Sequence, residues 1–304
     1  MSNSPPVVET RPLFFFQAQQ LNIELSQNLR IRAISKLEKY PPEEDETGGW
    51  NEGCGWGLEK GYDSLFFVVD CLGASSSDTS REITRLAACL LMYKTDPTVS
   101  IEIPRFELSY WGRRANEYSG RLPSLNYGAL EEINLLGQSG PLVLYLLGFQ
   151  EQDPFLKFWT KMTSNVWTPN LMWAARRLLR AQHRVGEEQD DKLIDLVIAL
   201  EALVLSKKER DKQKNLSSRA GRLQGLTGHL EKRAIDELFL AYDLRNDAVH
   251  DGLFSSANLS RVGGSDFLQR YITYIERYVR VGMRNYLEMA NQGLSKDQII
   301  QQLS

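Results

Sequence analysis

Residues 190–206 read DDKLIDLVIALEALVLS, and the spacing of their apolar residues predicts an amphipathic helix. One residue breaks the pattern, because Glu201 has apolar neighbours one turn before it and one turn after it. Side chains three and four positions apart share a helix face, so this carboxylate projects from an apolar surface. A carboxylate buried there must find a cation or several hydrogen-bond donors, or else stay protonated.

A second helix, predicted to end near His250, carries a positive charge in a similar place. Its core-facing stripe steps by three and four residues through Ile235, Leu238, Tyr242, Arg245 and Val249. A guanidinium at the core-facing position of Arg245 needs an anion, and its fork geometry suits either a carboxylate or a phosphate. One interpretation is a buried Glu201–Arg245 ion pair that only holds two helices in register.

His250 adds a second chemical group to this helix. It lies five residues after Arg245, about 140° around the helix, whereas Asn246 lies only about 40° from it. The three side chains are therefore expected to surround one small anion at the mouth of a groove. Histidine is the side chain best suited to proton transfer near neutral pH. The alternative is a histidine that only caps the last carbonyl groups of its helix.

The pattern of the whole chain predicts an α+β protein with two domains. Residues 1–150 alternate strand and helix signals, with strands expected at 13–16, 21–25, 29–34, 65–69 and 99–110 and a helix at 77–93. Residues 151–304 read as helical throughout, with helices expected from Asp153–Pro154 onward, at 169–184, at 190–206, up to 250, at 265–291 and at 294–303. We therefore predict a mixed α/β-rich domain at 1–150 and an all-α bundle at 151–304.

Composition and cysteine usage narrow the class of protein. The chain has 304 residues, 42% of them hydrophobic and 25% charged, which is typical of a globular protein. Its three cysteines are widely spaced and odd in number, which fits a reducing cytoplasm better than a disulfide framework. No signal peptide and no apolar run long enough for a membrane is found, so no membrane partner is expected. The three scattered histidines favour no metal site, and no cofactor is expected.

Charge is unevenly distributed along the chain. Residues 1–150 carry 13 Lys and Arg against 19 Asp and Glu, whereas residues 151–304 carry 23 against 20. The basic residues of the second half cluster, and those singled out as weak RNA-binding candidates are Arg176, Arg177, Arg180, Lys207, Lys208 and Arg222. Such clusters suit a polyanion, although a solvated helix face is the commoner interpretation.

The motifs around these residues resemble a known family. Residues 245–250, RNDAVH, resemble the R-polar-x-x-x-H signature of HEPN domains, which are dimerising bundles of four to five helices. Residues 190–203 are similar to the Asp- and Glu-bearing helix of the Apea-like HEPN subgroup, and residues 217–220, SSRA, to its next Arg-bearing helix. The resemblance covers about 165–290. Asp251 departs from the Gly that related sequences often have after the histidine.

The resemblance implies a metal-independent endoribonuclease that acts as a homodimer on RNA, in antiphage defence or as a toxin. It implies that the RNA 2′-OH attacks phosphorus, that His250 moves protons and that Arg245 stabilises phosphoryl charge. Asn246 would orient a phosphate or His250, and Glu201 would position Arg245 or Arg219. Neither an inhibitor or antitoxin nor a role for residues 1–150 is indicated by the sequence. Two alternatives remain open: a HEPN module that binds nucleotides, RNA or a partner without cutting, and a purely structural dimerisation bundle.

Overall fold

A computed structural model describes residues 7–13, 16–18, 22–34, 66–73, 75–95, 99–100, 143–165, 167–182, 184 and 189–304. Over these residues the chain is α+β, with seven strands and nine helices. It divides into two compact units, Met1–Ile83 with Ser100–Pro154, and Thr84–Val99 with Phe155–Ser304. Residues 84–99 belong to the same unit as residues 155–304.

The first unit is built on two small β-sheets. The strands are β1 (Val7–Leu13), β2 (Phe16–Ala18), β3 (Asn22–Ser26), β4 (Leu29–Ile34), β5 (Phe66–Gly73), β6 (Val99–Ser100) and β7 (Val143–Leu147). Four of them form an antiparallel sheet in the order β1-β5-β4-β3, and β2-β7-β6 form a second sheet in which β2 and β7 run parallel. Inward side chains alternate along β3 and β4, and Ile23, Leu25, Leu29 and Ile31 are buried.

Most predicted elements of residues 1–150 are confirmed where the structure describes them. The strand expected at 29–34 is Leu29–Ile34, and the helix expected at 77–93 is α1, Ser76–Tyr93. Residues 101–110 of the last predicted strand lie outside the described residues. The end of α1 belongs to the helical unit because the Tyr93 ring packs against Phe155 and Phe158, with ring centres 5.3 and 5.4 Å away.

The second unit is helical over its described residues. Its helices are α2 (Phe149–Thr163), α3 (Pro169–Gln182), α4 (Gln189–Val204), α5 (Lys212–Arg222), α6 (His229–Asp251), α7 (Ser256–Val262), α8 (Ser265–Asn291) and α9 (Lys296–Leu303). The predicted start of α2 at Asp153 is wrong, because the helix begins at Phe149 and contains Pro154. The Glu151 side chain accepts a hydrogen bond from the Gly148 N–H at 3.0 Å, which starts the helix before the proline.

The core of the bundle surrounds α4, which packs against α3, α5, α6 and α8. Its fully buried residues are Leu193, Leu196, Val197, Ala199, Leu200, Leu203 and Val204. Beside this core, α8 buries an ion-pair network: Arg280 contacts Glu276, and the second Glu276 oxygen lies 2.9 Å from Lys192 Nζ on α4. Arg280 and Glu276 are 0 and 1% exposed. Burial raises the pKa of Glu276, but the charges of Arg280 and Lys192 outweigh it, so the pKa is lowered overall.

No helix within the described parts of the chain is both long enough and apolar enough to cross a membrane.

Candidate functional site

Helix α6 carries the RNDAVH motif in its last two turns. Gly252 ends the helix in the left-handed conformation, with φ of 72°. The buried face follows Ala234, Leu238, Ala241, Tyr242, Leu244 and Ala248. The predicted stripe is therefore wrong at its end, because Val249 is 47% exposed and Ala248 faces the core instead. A small residue fits there because the helix packs closely against its neighbours.

The close packing of α5 on α6 is visible at one glycine. A Cβ atom at Gly221 would lie 2.4 Å from Ile235 Cγ1 and 3.2 Å from the Ile235 backbone nitrogen. No side chain fits in that space, so Gly221 sets how closely the two helices approach. The first half of α6 therefore packs against α5 with the two helix backbones close together.

Arg245 is half-buried and lies beside two residues of its own helix. Its Nη1 donates a hydrogen bond to Asn246 Oδ1 at 3.0 Å, and its guanidinium carbon lies 5.6 Å from the centre of the Tyr242 ring. Its Nε is buried and has no hydrogen-bond acceptor among the described residues. The expected Glu201–Arg245 ion pair is not formed, and within the described chain the hydrogen bond of this guanidinium goes to Asn246.

The Glu201 carboxylate instead lies near the Tyr242 hydroxyl, close enough for its charge to act on that group. Burial raises the pKa of Tyr242, and the negative charge of Glu201 raises it further, while Arg245 partly opposes the shift. Tyr242 therefore links the acidic residue of α4 to the guanidinium of α6. Sequence reasoning placed Tyr242 in the apolar stripe and missed this role, because a tyrosine at a core-facing position is equally typical of ordinary packing.

His250 is exposed in the last turn of α6 and makes no hydrogen bond or ion pair with the described residues. It does not cap carbonyl groups, so the capping interpretation finds no support in this geometry. The imidazole shares a helix edge with Asn246, one turn earlier, and Asn246 in turn contacts Arg245. Within one chain the structure brings Arg245 and Asn246 together but leaves His250 apart from Arg245.

The turn after His250 is fastened to α6 by Asp247. Its Oδ2 accepts hydrogen bonds from the Ser255 N–H at 3.0 Å and from Asn258 Nδ2 at 2.8 Å. Burial raises the pKa of Asp247, but the hydrogen bonds from Asn258 and Ser255 outweigh that effect and lower the pKa overall. Helix α7, which the sequence patterns do not predict, begins at this attachment, with Ser255 as its N-cap.

Arg219 does not meet Glu201. Its Nη1 lies 2.6 Å from Glu209 Oε1 and 3.1 Å from the Val204 carbonyl oxygen, in the connection between α4 and α5. Burial raises the pKa of Glu209, and hydrogen bonds from Ser206 and Arg219 more than reverse this, so it is lowered. The predicted support of Arg219 by Glu201 is therefore wrong, because a loop carboxylate takes that place.

The basic clusters are partly neutralised within the chain. Arg177 and Arg180 lie 2.7 and 3.4 Å from Asp195, whose side chain is 3% exposed. Arg222 donates to the carbonyl oxygens of Leu303 and Ser304, so its charge is already engaged. Of the six RNA-binding candidates, Arg176, Lys207 and Lys208 are exposed and have no ion pair to a described residue.

An open groove of about 520 Å³ lies elsewhere on α6, along the first half of the helix. It is lined by His229, Lys232, Arg233, Asp236, Glu237, Leu240 and Arg261. Neither Arg245 nor His250 borders it. Across the described ranges, no group of three or more His, Cys, Asp and Glu side chains is arranged to hold a metal ion.

Comparison of the chain with protein-family models, with curated proteins and with solved structures gave no significant match.

Proposed function

We propose that the protein is a metal-independent endoribonuclease of the HEPN type that cleaves RNA as a homodimer. The observation that carries the proposal is the state of Arg245: a half-buried guanidinium with no carboxylate partner in the described chain, beside Asn246. A positive charge held in place without an anion of its own suits a phosphate. The R-polar-x-x-x-H resemblance of residues 245–250 supports the same assignment.

The proposed reaction is attack by the RNA 2′-oxygen on the adjacent phosphorus. As the new bond to phosphorus forms, the 2′-OH proton passes to an imidazole of His250, and the bond from phosphorus to the 5′-oxygen breaks. The leaving 5′-oxygen takes a proton from an imidazolium, which gives a 2′,3′-cyclic phosphate and a 5′-hydroxyl end. Arg245 stabilises the charge on the phosphoryl oxygens, and Asn246 orients the phosphate or the imidazole.

A second copy of the chain completes the site in this proposal. Arg245 turns toward the bundle whereas His250 is exposed, about 140° further around α6. We therefore place a phosphodiester held by one Arg245 beside the partner subunit's His250 in this proposal. Exposed Arg176, Lys207 and Lys208 are candidates to contact the RNA backbone beyond the site.

The test is cleavage of RNA in the presence of EDTA. We expect a 2′,3′-cyclic phosphate product, and His250→Ala should lower the cleavage rate about 100- to 10,000-fold. His229→Ala is the matched control, because His229 is also exposed on α6 but lies in its first turn. Undiminished cleavage by both His250→Ala and Arg245→Ala, with the fold intact by circular dichroism, would contradict the proposal.

Such an activity would suit defence against phage or a toxin, since unrestrained RNA cleavage arrests growth. Expression of the wild-type chain should then slow growth and expression of His250→Ala should not. An inhibitor or antitoxin would be recognised as a protein that restores growth without lowering the amount of the nuclease.

A second candidate function is a HEPN module that binds nucleotides or RNA without cutting. It is favoured by one observation, that Arg245 and His250 do not meet within a single chain. This alternative predicts RNA or nucleotide affinity that weakens as salt is raised, with no cyclic-phosphate product.

A further inference from the structure

The outer face of α3 combines an exposed aromatic ring with arginines. Trp173 is 45% exposed, and Arg176, Arg177 and Arg180 follow it three, four and seven residues later, on the same side of the helix. A single exposed apolar residue is ordinary. An exposed tryptophan surrounded by three guanidinium groups on one helix face is a more specific arrangement.

Arg177 covers one side of the Trp173 ring. Its guanidinium carbon lies 4.5 Å from the ring centre, and its Nη1 lies 2.7 Å from the nearly buried carboxylate of Asp195 on α4. The guanidinium is thus fixed by an ion pair from the neighbouring helix, and it fixes the ring in turn. The ring is held in one position while nearly half of the residue's surface remains open to a planar ligand.

The surroundings of the ring are positively charged. Arg177, Arg180 and Arg184 share the two carboxylates Asp191 and Asp195. Arg176 is exposed and has no ion pair to a described residue. Among the described residues, the outer face of α3 therefore keeps an excess of positive charge. The Arg180 side chain is 57% exposed despite its contact with Asp195. A ligand that fits here has both a planar ring and negative charge.

We propose that Trp173 is a stacking platform for an unpaired base of single-stranded RNA, with Arg176 and Arg180 contacting the phosphates on either side of that base. A duplex does not fit this description, because its bases are stacked inside and cannot reach the ring. The inference rests on the proposed function in taking RNA as the ligand, and it adds that the substrate is single-stranded at this position.

The experiment separates binding from cleavage by using a labelled single-stranded DNA oligonucleotide. This strand lacks the 2′-OH, so the proposed reaction cannot consume it, and its binding to the full-length chain is followed by fluorescence anisotropy. We expect Trp173→Ala to weaken binding about tenfold, the typical effect of losing one stacked base. Trp173→Phe should retain most of the affinity because a ring remains.

The matched control is Tyr274→Ala on α8. Tyr274 is 36% exposed, and the guanidinium carbon of Arg270 lies 5.9 Å from its ring centre, so it is a similar exposed ring beside an arginine. Its loss should leave the affinity for the single strand unchanged. The double variant Arg176→Gln with Arg180→Gln should make log affinity less steep in log salt, by roughly 0.7 for each phosphate that is no longer neutralised.

Three outcomes would overturn the inference: no binding of the single strand by the wild-type chain at low salt, equal affinities of Trp173→Ala and Tyr274→Ala, or binding of a duplex as tight as that of the single strand. A change in molecular mass in Trp173→Ala, with affinity unaltered, would also overturn it and assign the ring to an interface between copies. Failure of the nuclease proposal has a different signature, since binding would persist and depend on Trp173 while RNA stayed uncut.

Discussion

The Tyr242 hydroxyl lies near the Glu201 carboxylate, so the acidic residue that the sequence pairs with an arginine faces a phenol instead. The centre of the Tyr242 ring lies 5.6 Å from the guanidinium carbon of Arg245. This guanidinium has no carboxylate partner among the described residues. Glu201 and Arg245 are therefore not ion-paired with each other. Each can therefore be tested by its own substitution.

Tyr242→Phe removes the hydroxyl group that the half-buried Glu201 faces. We expect a loss of about 1 kcal/mol in the free energy of unfolding, typical of removing one polar interaction. Urea denaturation followed by circular dichroism measures it. Tyr274→Phe serves as the control, because the Tyr274 ring is exposed, and a loss of the same size there would show that the proximity of Glu201 is not responsible.

Arg245→Ala should be much milder for stability. A buried carboxylate that loses its only cation costs several kcal/mol, but Glu201 keeps its tyrosine partner when Arg245 is removed. We expect a loss of about 1 kcal/mol or less, apart from the packing of the side-chain stem. A loss above about 3 kcal/mol would restore the purely structural interpretation of this arginine.

Helix α6, which carries the RNDAVH motif, shows which structural features the sequence predicts and which it does not. Helical spacing correctly predicts the positions of α4 and α9 and the end of α6, and it places Arg245 near the core. It fails at Val249, because a small uncertainty in helical phase decides which of two adjacent side chains is buried. It also assigns Glu201 the wrong partner, since charge complementarity in a sequence does not say which polar group is nearest in space.

The ion-pair partners of Arg219 and Asp195 could not be predicted from local sequence patterns. Glu209 lies in a loop with no periodicity, so nothing in its local sequence indicates that it accepts from Arg219. Asp195 lies within a helix that is apolar over most of its length, and its three arginine neighbours come from outside that helix. Such pairings depend on how α3 crosses α4, which local patterns leave undetermined.

Glu276→Gln tests the buried ion-pair network of α8. The substitution leaves Arg280 and Lys192 facing each other without the carboxylate between them, so we expect a loss of about 3–5 kcal/mol. Glu288→Gln is the matched control on the same helix, where the pair with the exposed Lys161 should contribute about 1 kcal/mol or less. Equal losses from the two substitutions would contradict the assignment of the network to the core.

Alkaline pH should destabilise the protein through two tyrosines of α8. Burial, followed by the negative charge of Glu237, raises the pKa of Tyr271, while burial and a hydrogen bond to Glu237 raise that of Tyr278. A raised folded pKa means that the stabilisation is complete below the ordinary pKa of about 10 and is lost as pH rises above it. The melting temperature should therefore fall steeply above about pH 10, and less steeply in Tyr271→Phe. An unchanged slope in that variant would contradict the prediction.

Gly221→Ala should separate α5 from α6. The added Cβ would overlap Ile235 Cγ1, so we expect a loss of about 1–3 kcal/mol, typical of overpacking. Ile235→Ala in the same chain should recover part of the loss, because the overlapping methylene is removed. Gly148→Ala is the control, since a Cβ atom there would lie 3.6 Å from its nearest neighbouring atom, Glu151 Oε2, which is an ordinary packing distance.

The attachment of Asp247 to Ser255 and Asn258 also bears on how the molecule withstands proteases. Leu253, in the turn between them, is 75% exposed and is the kind of residue that chymotrypsin-like enzymes select. Cleavage requires several residues to detach and extend into the protease, which the carboxylate anchor opposes. Asp247→Asn would weaken that anchor, and nicking beside Leu253 would then cut the chain three residues from the imidazole.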